Sequence, residues 1–115
     1  MQSSLKHRNV TTAGALSPDT VDALLAHART LQRAAEAGNR MSMHNLAALY
    51  AGGQMGKQDF ASAAEWFEQA ASRDMSDSQF NLGMLYARGL GVPQNLETSY
   101  KWFSLAATHG DTGAA

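Results

Sequence analysis

The chain has 115 residues, 44% hydrophobic and 17% charged, which is room for one domain with a modest core and not for several. Nine basic against ten acidic residues leave a formal net charge of −1, so no field draws in nucleic acid or an anionic membrane, and neither is expected as a partner. With no cysteine, disulfide frameworks and thiolate zinc sites are excluded, and no apolar run approaches the length needed to cross a bilayer.

Residues 1–16 show no helical period and are rich in Ser, Thr, Asn and basic side chains, which predicts a flexible tail or linker. The segment from Met1 to Val10 lacks the apolar stretch of a signal peptide. Ser17-Pro18-Asp19 is a helix start, with serine to cap, proline tolerated in the first turn and aspartate at the positive end of the dipole. A helix over 17–38 follows, with Val21, Leu24, Leu25, Ala28, Leu31 and Ala35 on one continuous face and Gly38-Asn39 at its end. Next come a helix over 41–51 broken by Gly52-Gly53, and a helix over 60–73 capped by Asp59. After the link Asp74-Met75-Ser76 stands a helix over 77–88, then the loop Gly89-Leu90-Gly91-Val92-Pro93. A helix over 95–109 closes the series, capped by Asn95 and ended at Gly110. Residues 111–115 read as the start of a further unit, with Ala114 in register with Ser78 and Ser42, and so as a fragment of a longer protein.

The series contains a repeat of 36 residues. Residues 42–73 laid on 78–109 without a gap agree at 12 of 32 positions: Ser, Asn, Leu, Leu, Tyr, Ala, Gly, Gln, Trp, Phe, Ala and Ala. A fixed period of this size means stacked units. In the second unit Leu82, Leu85 and Tyr86 fall at i, i+3, i+4, and Tyr100, Phe103, Ala106 and Ala107 at i, i+3, i+6, i+7, so each unit is a pair of amphipathic helices. Small residues at Gly83, Ala106 and Ala107 allow close approach, while Tyr86, Trp102 and Phe103 fill the space between helices.

At these residues the chain resembles the Sel1-like repeat family, relatives of the tetratricopeptide repeats. The second unit carries the pattern through Asn81, Leu82, Gly83, Leu85, Tyr86, Gly89, Gly91, Val92, Asn95, Trp102, Phe103, Ala106, Ala107 and Gly110. The first departs in its loop, where Gln54-Met55-Gly56-Lys57 replaces Leu90-Gly91-Val92-Pro93, which leaves the geometry of that loop open. The resemblance implies an all-α, right-handed solenoid of about five helices: a capping helix over 17–38, one repeat over 41–74, a second over 77–110, and the start of another. It also implies a non-catalytic adaptor for macromolecular assembly in bacterial envelope or signalling processes. A narrower likeness is to the repeat region of alphaproteobacterial polar-localisation scaffolds of the PodJ type, whose repeats are periplasmic. One consequence of the architecture is an uncovered outer face on the last helix, including parts of Trp102, Phe103 and Leu105. Burying even 200 Å² of such surface is worth roughly 5 kcal/mol, so fraying or weak self-association through that helix is expected.

No chemistry competes with this reading. His7, His27, His44 and His109 include no pair at i, i+3 or i, i+4, so no metal or other cofactor is expected. Glu65, Glu68 and Glu97 lie on solvated faces and differ between units, the serines lack a nucleophile elbow, and Gly89-Leu90-Gly91 follows a helix and lacks the lysine of a phosphate loop. The recurring rings of Tyr50, Tyr86, Trp66, Trp102, Phe67 and Phe103 are read as inter-helix core, and Asn45 and Asn81 as binding backbone between helices. In related stacks the first helix of each unit lines an inner groove. Counting 100° per residue puts Met41, His44, Ala48 and Ala51 of the first unit, and Asp77, Phe80, Met84 and Ala87 of the second, on that concave face. These positions differ between units and are mostly apolar, as suits an adaptable site for a protein or peptide segment. Two alternatives stay open: His44 and Phe80 pack between successive helices, or the concave face holds peptidoglycan or another cell-wall glycan.

Overall fold

A computed structural model describes residues 18–54 and 56–114, with side chains through residue 108. The tail over 1–16 lies outside the described residues. Five helices follow one another: α1 (Pro18–Glu36), α2 (Arg40–Gly52), α3 (Phe60–Ala71), α4 (Ser76–Arg88) and α5 (Leu96–Ala114). No strand occurs among the described residues. Each helix packs chiefly against the one before it and the one after it, the contact pattern of a solenoid.

The local chemistry that starts and stops these helices repeats with the same period as the sequence. Asn39 accepts from Ser42 N at 2.9 Å, Asp59 from Ser62 N at 3.0 Å and Asn95 from Thr98 N at 3.0 Å, so three of the helix starts hold an otherwise orphaned amide. The two loops are anchored alike. Gln58 Nε2 donates to Ala51 O at 3.1 Å and Gln94 Nε2 to Ala87 O at 2.9 Å, while Asp59 N and Asn95 N donate to Tyr50 O and Tyr86 O, each at 2.9 Å. The first loop therefore keeps the anchor of the second although its residues differ. Helix α4 is the exception at its start: Met75 stands where α2 has Asn39, and it supplies no side-chain cap.

The last helix differs from the sequence reading. It runs through Gly110 to Ala114, because an isolated glycine costs a helix only about 1 kcal/mol and no left-handed cap stops it there. In α1 the inner half is as expected, with Ala28, Leu31 and Ala35 buried, but Val21 and Leu25 on the same stripe are exposed because α2 reaches only the later turns.

Two clusters of small and aliphatic side chains hold the layers together. Leu31 and Ala35 of α1 meet Met43 and Leu46 of α2 and Ala70 of α3. Ala47, Ala63, Ala64, Phe67 and Ala71 meet Leu82 and Leu85 of α4, with Trp66, Tyr86 and Trp102 packed against that cluster and half-buried. The recurring rings thus belong to the inter-helix packing. Alanine dominates because backbones must approach closely for so few residues to exclude water. Gly83 shows the same demand: a Cβ there would lie 2.9 Å from the ring of Phe103.

One repeat is covered and the other is not. Ala64, Phe67 and Ala71 of α3 are buried under α4, whereas their register partners Tyr100, Phe103 and Ala107 on α5 have no following helix, and Tyr100 is 72% exposed. Tyr100 is therefore not the inter-helix core residue that its spacing predicts.

Candidate partner-binding groove

A groove of about 370 Å³ runs between α2 and α4. One flank is Ala48 and Ala51, and the other is Asn81, Met84, Leu85 and Arg88. Phe67 of α3 forms its floor, and Phe60, Gln58 and Leu90 close the end where the two loops lie. A second depression, of about 540 Å³, lies one repeat further on and is lined by Ser76, Asp77, Phe80, Phe103, Ala106 and Ala107. It is the uncovered seat on α5 described above.

The eight residues of the expected concave face divide among several places. Ala48, Ala51 and Met84 come together in the groove. Asp77 and Phe80 line the second depression instead, because they sit on the flank of α4 turned toward α5. Phe80 is 51% exposed yet packs against Phe103, with ring centroids 5.3 Å apart and the rings tilted by 51°. Met41 is 61% exposed at the start of α2 and lines neither hollow. Ala87 is half-buried, and its carbonyl is taken by Gln94.

His44 packs between helices. Its ring meets the edge of Phe67 at a centroid distance of 5.3 Å, and its Nδ1 shares a 2.6 Å hydrogen bond with the Oγ of Ser78, which is fully buried on α4. The pair His44 and Phe67 is the register mate of Phe80 and Phe103, so the covered first unit displays the packing that a following helix would impose on the second. Burial pushes the His44 pKa below its ordinary value, with the Asp77 carboxylate opposing that shift. A histidine held neutral in the fold stabilises fully above its unfolded value of about 6.5 and loses that contribution as pH falls toward the folded value. We expect the urea midpoint to drop between pH 7.5 and pH 5.5, and His44→Gln to remove part of that drop. Identical pH profiles for the two proteins would show that His44 is not the titrating group.

Asn45 and Asn81 correct the sequence reading more directly. Among the described residues neither side-chain amide makes a hydrogen bond, so neither ties backbone between helices. Asn81 instead lines the groove, half-buried, and so does the solvent-exposed Arg88, whose guanidinium has no hydrogen bond or ion pair among the described residues. Asn81, Met84, Leu85 and Arg88 fall at i, i+3, i+4, i+7, a single stripe that the sequence contains but that hairpin periodicity alone does not single out. Among the described residues no cluster of three or more His, Asp or Glu side chains could hold a metal ion, and no helix is long and apolar enough to cross a membrane.

The Sel1 repeat model matches residues 40–75 and 76–111, the two hairpins as the helices delimit them. The chain belongs to the Sel1 repeat family. Several solved structures resemble it, two of which show the likeness well. One is c5321, a protective antigen of uropathogenic Escherichia coli strains with the Sel1-like repeat fold, 39% identical with a TM-score of 0.67. The other is a Sel1 repeat protein from Oxalobacter formigenes, 30% identical with a TM-score of 0.69. The matches cover 70% and 71% of this chain, but the chain spans only 17% of the first and 63% of the second. No curated protein sequence matches the chain. Sel1 repeat proteins are in general non-enzymatic scaffolds for protein interactions. Nothing in these matches supports the narrower likeness to PodJ-type polar scaffolds.

Proposed function

We propose that this Sel1 repeat chain is a non-catalytic interaction module that holds a segment of a partner protein in the groove between α2 and α4, within a larger bacterial assembly protein. The observation that carries this reading is the groove itself. Its flanks and floor, Ala48, Ala51, Met84 and Phe67, are apolar and shaped by rigid helices, and its volume falls in the range of ordinary ligand sites. A solvated flank would carry charge along its length, and this one carries it only at Arg88. The glycan reading has less support, because the ring of Phe80 is engaged by Phe103 and the groove's own aromatic floor is buried.

The test is capture of partners from a bacterial lysate by the wild type and by Met84→Glu, with helicity followed by circular dichroism. A carboxylate in the middle of an apolar site should cut recovery of the specific partner at least tenfold, since it replaces apolar contact with a charge that must be desolvated, and at i, i+4 it can pair with Arg88 and take that guanidinium from the partner. Equal recovery by a folded Met84→Glu variant would rule the groove out as the binding surface.

A further inference from the structure

The large apolar side chains exposed among the described residues gather at one end of the stack: Leu96, Tyr100 and Leu105 on α5, and Phe80 on the flank of α4 beside it. Leu96, Tyr100, Phe103 and Ala107 fall at i, i+4, i+7 and i+11, a single stripe that is large toward the start of the helix and small toward its end. The two ends of that stripe also differ in relief. Ser99 donates to Gly83 O at 2.7 Å, which marks the side of α5 turned toward α4, and Tyr100, 100° further round, projects on the side turned away, 72% exposed. The depression of about 540 Å³ lies toward the other end and on the other side, between α5 and α4, walled by Phe80, Phe103, Ala106 and Ala107 with Ser76 and Asp77 at its polar edge. A knob and a hole thus stand diagonally on one face, with Phe103 between them. A two-fold axis normal to the face at Phe103 exchanges the two diagonals, so it brings the Tyr100 of each copy onto the hole of the other.

We propose that α5 is a homodimer surface, on which two copies of the chain pair with their α5 helices antiparallel and each inserts Tyr100 into the hole of its partner. The ring then lies between Phe80 and Ala106, its hydroxyl donates to the Asp77 carboxylate at the polar edge, and Leu96 covers Ala107. The taper selects this arrangement, because a parallel pair sets Tyr100 against Tyr100 and leaves both holes empty. Leu96, Tyr100, Phe80 and Phe103 offer roughly 500 Å² per copy, about 1,000 Å² in total, which is the lower edge of specific interfaces. The dimer is therefore weak and reversible, with a dissociation constant of about 100 µM, and the chain is monomeric at the micromolar concentrations of a denaturation experiment. The hole and the groove between α2 and α4 share no lining residue, so the pairing leaves the groove open and its failure leaves the reading of the groove standing.

Analytical ultracentrifugation of the 115-residue chain from about 10 µM to about 1 mM tests the pairing. The weight-average mass should rise with concentration from 12.3 kDa toward twice that value and no further. Tyr100→Ala, which removes the knob, and Ala107→Trp, which plugs the hole, should each stay monomeric with unchanged circular dichroism, since both positions are exposed. An equimolar mixture of the two should associate again, because the intact knob of one meets the intact hole of the other and the plugged hole faces the missing knob; an unfolded variant could not show this rescue. A wild type that stays at monomer mass up to 1 mM, a mass that climbs past the dimer, association that Tyr100→Ala leaves unchanged, or a mixture that does not associate would each overturn the proposal.

Discussion

Replacing Gly91 by alanine lowers the stability of the domain by about 3 kcal/mol or more, and the melting temperature by roughly 10 °C or more. Two costs add at this position. The backbone is left-handed, at φ +75°, which an alanine adopts only under strain. A Cβ there would also lie 2.3 Å from the carbonyl carbon and oxygen of Phe60, backbone atoms that cannot swing aside as a side chain would. The loop of the second repeat lies against the first residue of α3 here, so relief requires lifting that loop and with it Leu90 and Val92, which pack on the core cluster. Gly56→Ala is the control: its φ is +119° but nothing lies within 4 Å of the added Cβ, so strain alone remains, about 1–2 kcal/mol. Urea midpoints of the two variants measure the difference. A Gly91→Ala protein as stable as Gly56→Ala would mean that the two repeats do not touch through this loop.

The second large effect is at Phe67. This ring is 3% exposed, under α4 and against His44, and truncation to alanine should cost about 3–5 kcal/mol, a large part of what a domain of this size has. Phe103 occupies the same place in the second repeat and is only half-buried, so Phe103→Ala should cost about half as much or less. The comparison matters because the two positions share one register, each after a tryptophan and three and four residues before an alanine, and the chief difference between them is the helix that covers Phe67. Chemical denaturation of both variants decides it, and equal losses would show that α5 is covered in solution by something else, such as a second copy of the chain. The Phe67 variant also removes the groove floor, so it should lose partner binding even under conditions where it remains folded.

The two effects come from different levels of organisation. Phe67 is the register mate of Phe103 in a repeat of 36 residues, and both are assignable to inter-helix packing from spacing alone. The contact between Gly91 and Phe60 crosses from one repeat to the previous one, and no periodicity announces it. The caps at Asp59 and Asn95 are legible because a capping side chain acts on an amide three residues away. The end of α5 is not, because a glycine near the end of a helix permits a cap without requiring one.

What the residues decided unaided was the unit: a hairpin of two amphipathic helices, occurring twice after a leading helix, with rings and alanines between the helices. Only tertiary structure decided which sides of those helices form the groove. Equal register suggested that both repeats turn the same face inward, through Met41, His44, Ala48 and Ala51 and through Asp77, Phe80, Met84 and Ala87. A groove between two neighbouring helices draws on opposing flanks, and on α4 that flank is rotated by roughly 70° from the expected face at 100° per residue, to Asn81, Met84, Leu85 and Arg88. Period describes a side chain's direction about its own helix axis, whereas a site is set by how two axes lie beside each other. That relation is why His44 is absorbed into packing while Asn81 and Arg88 stand free at the rim.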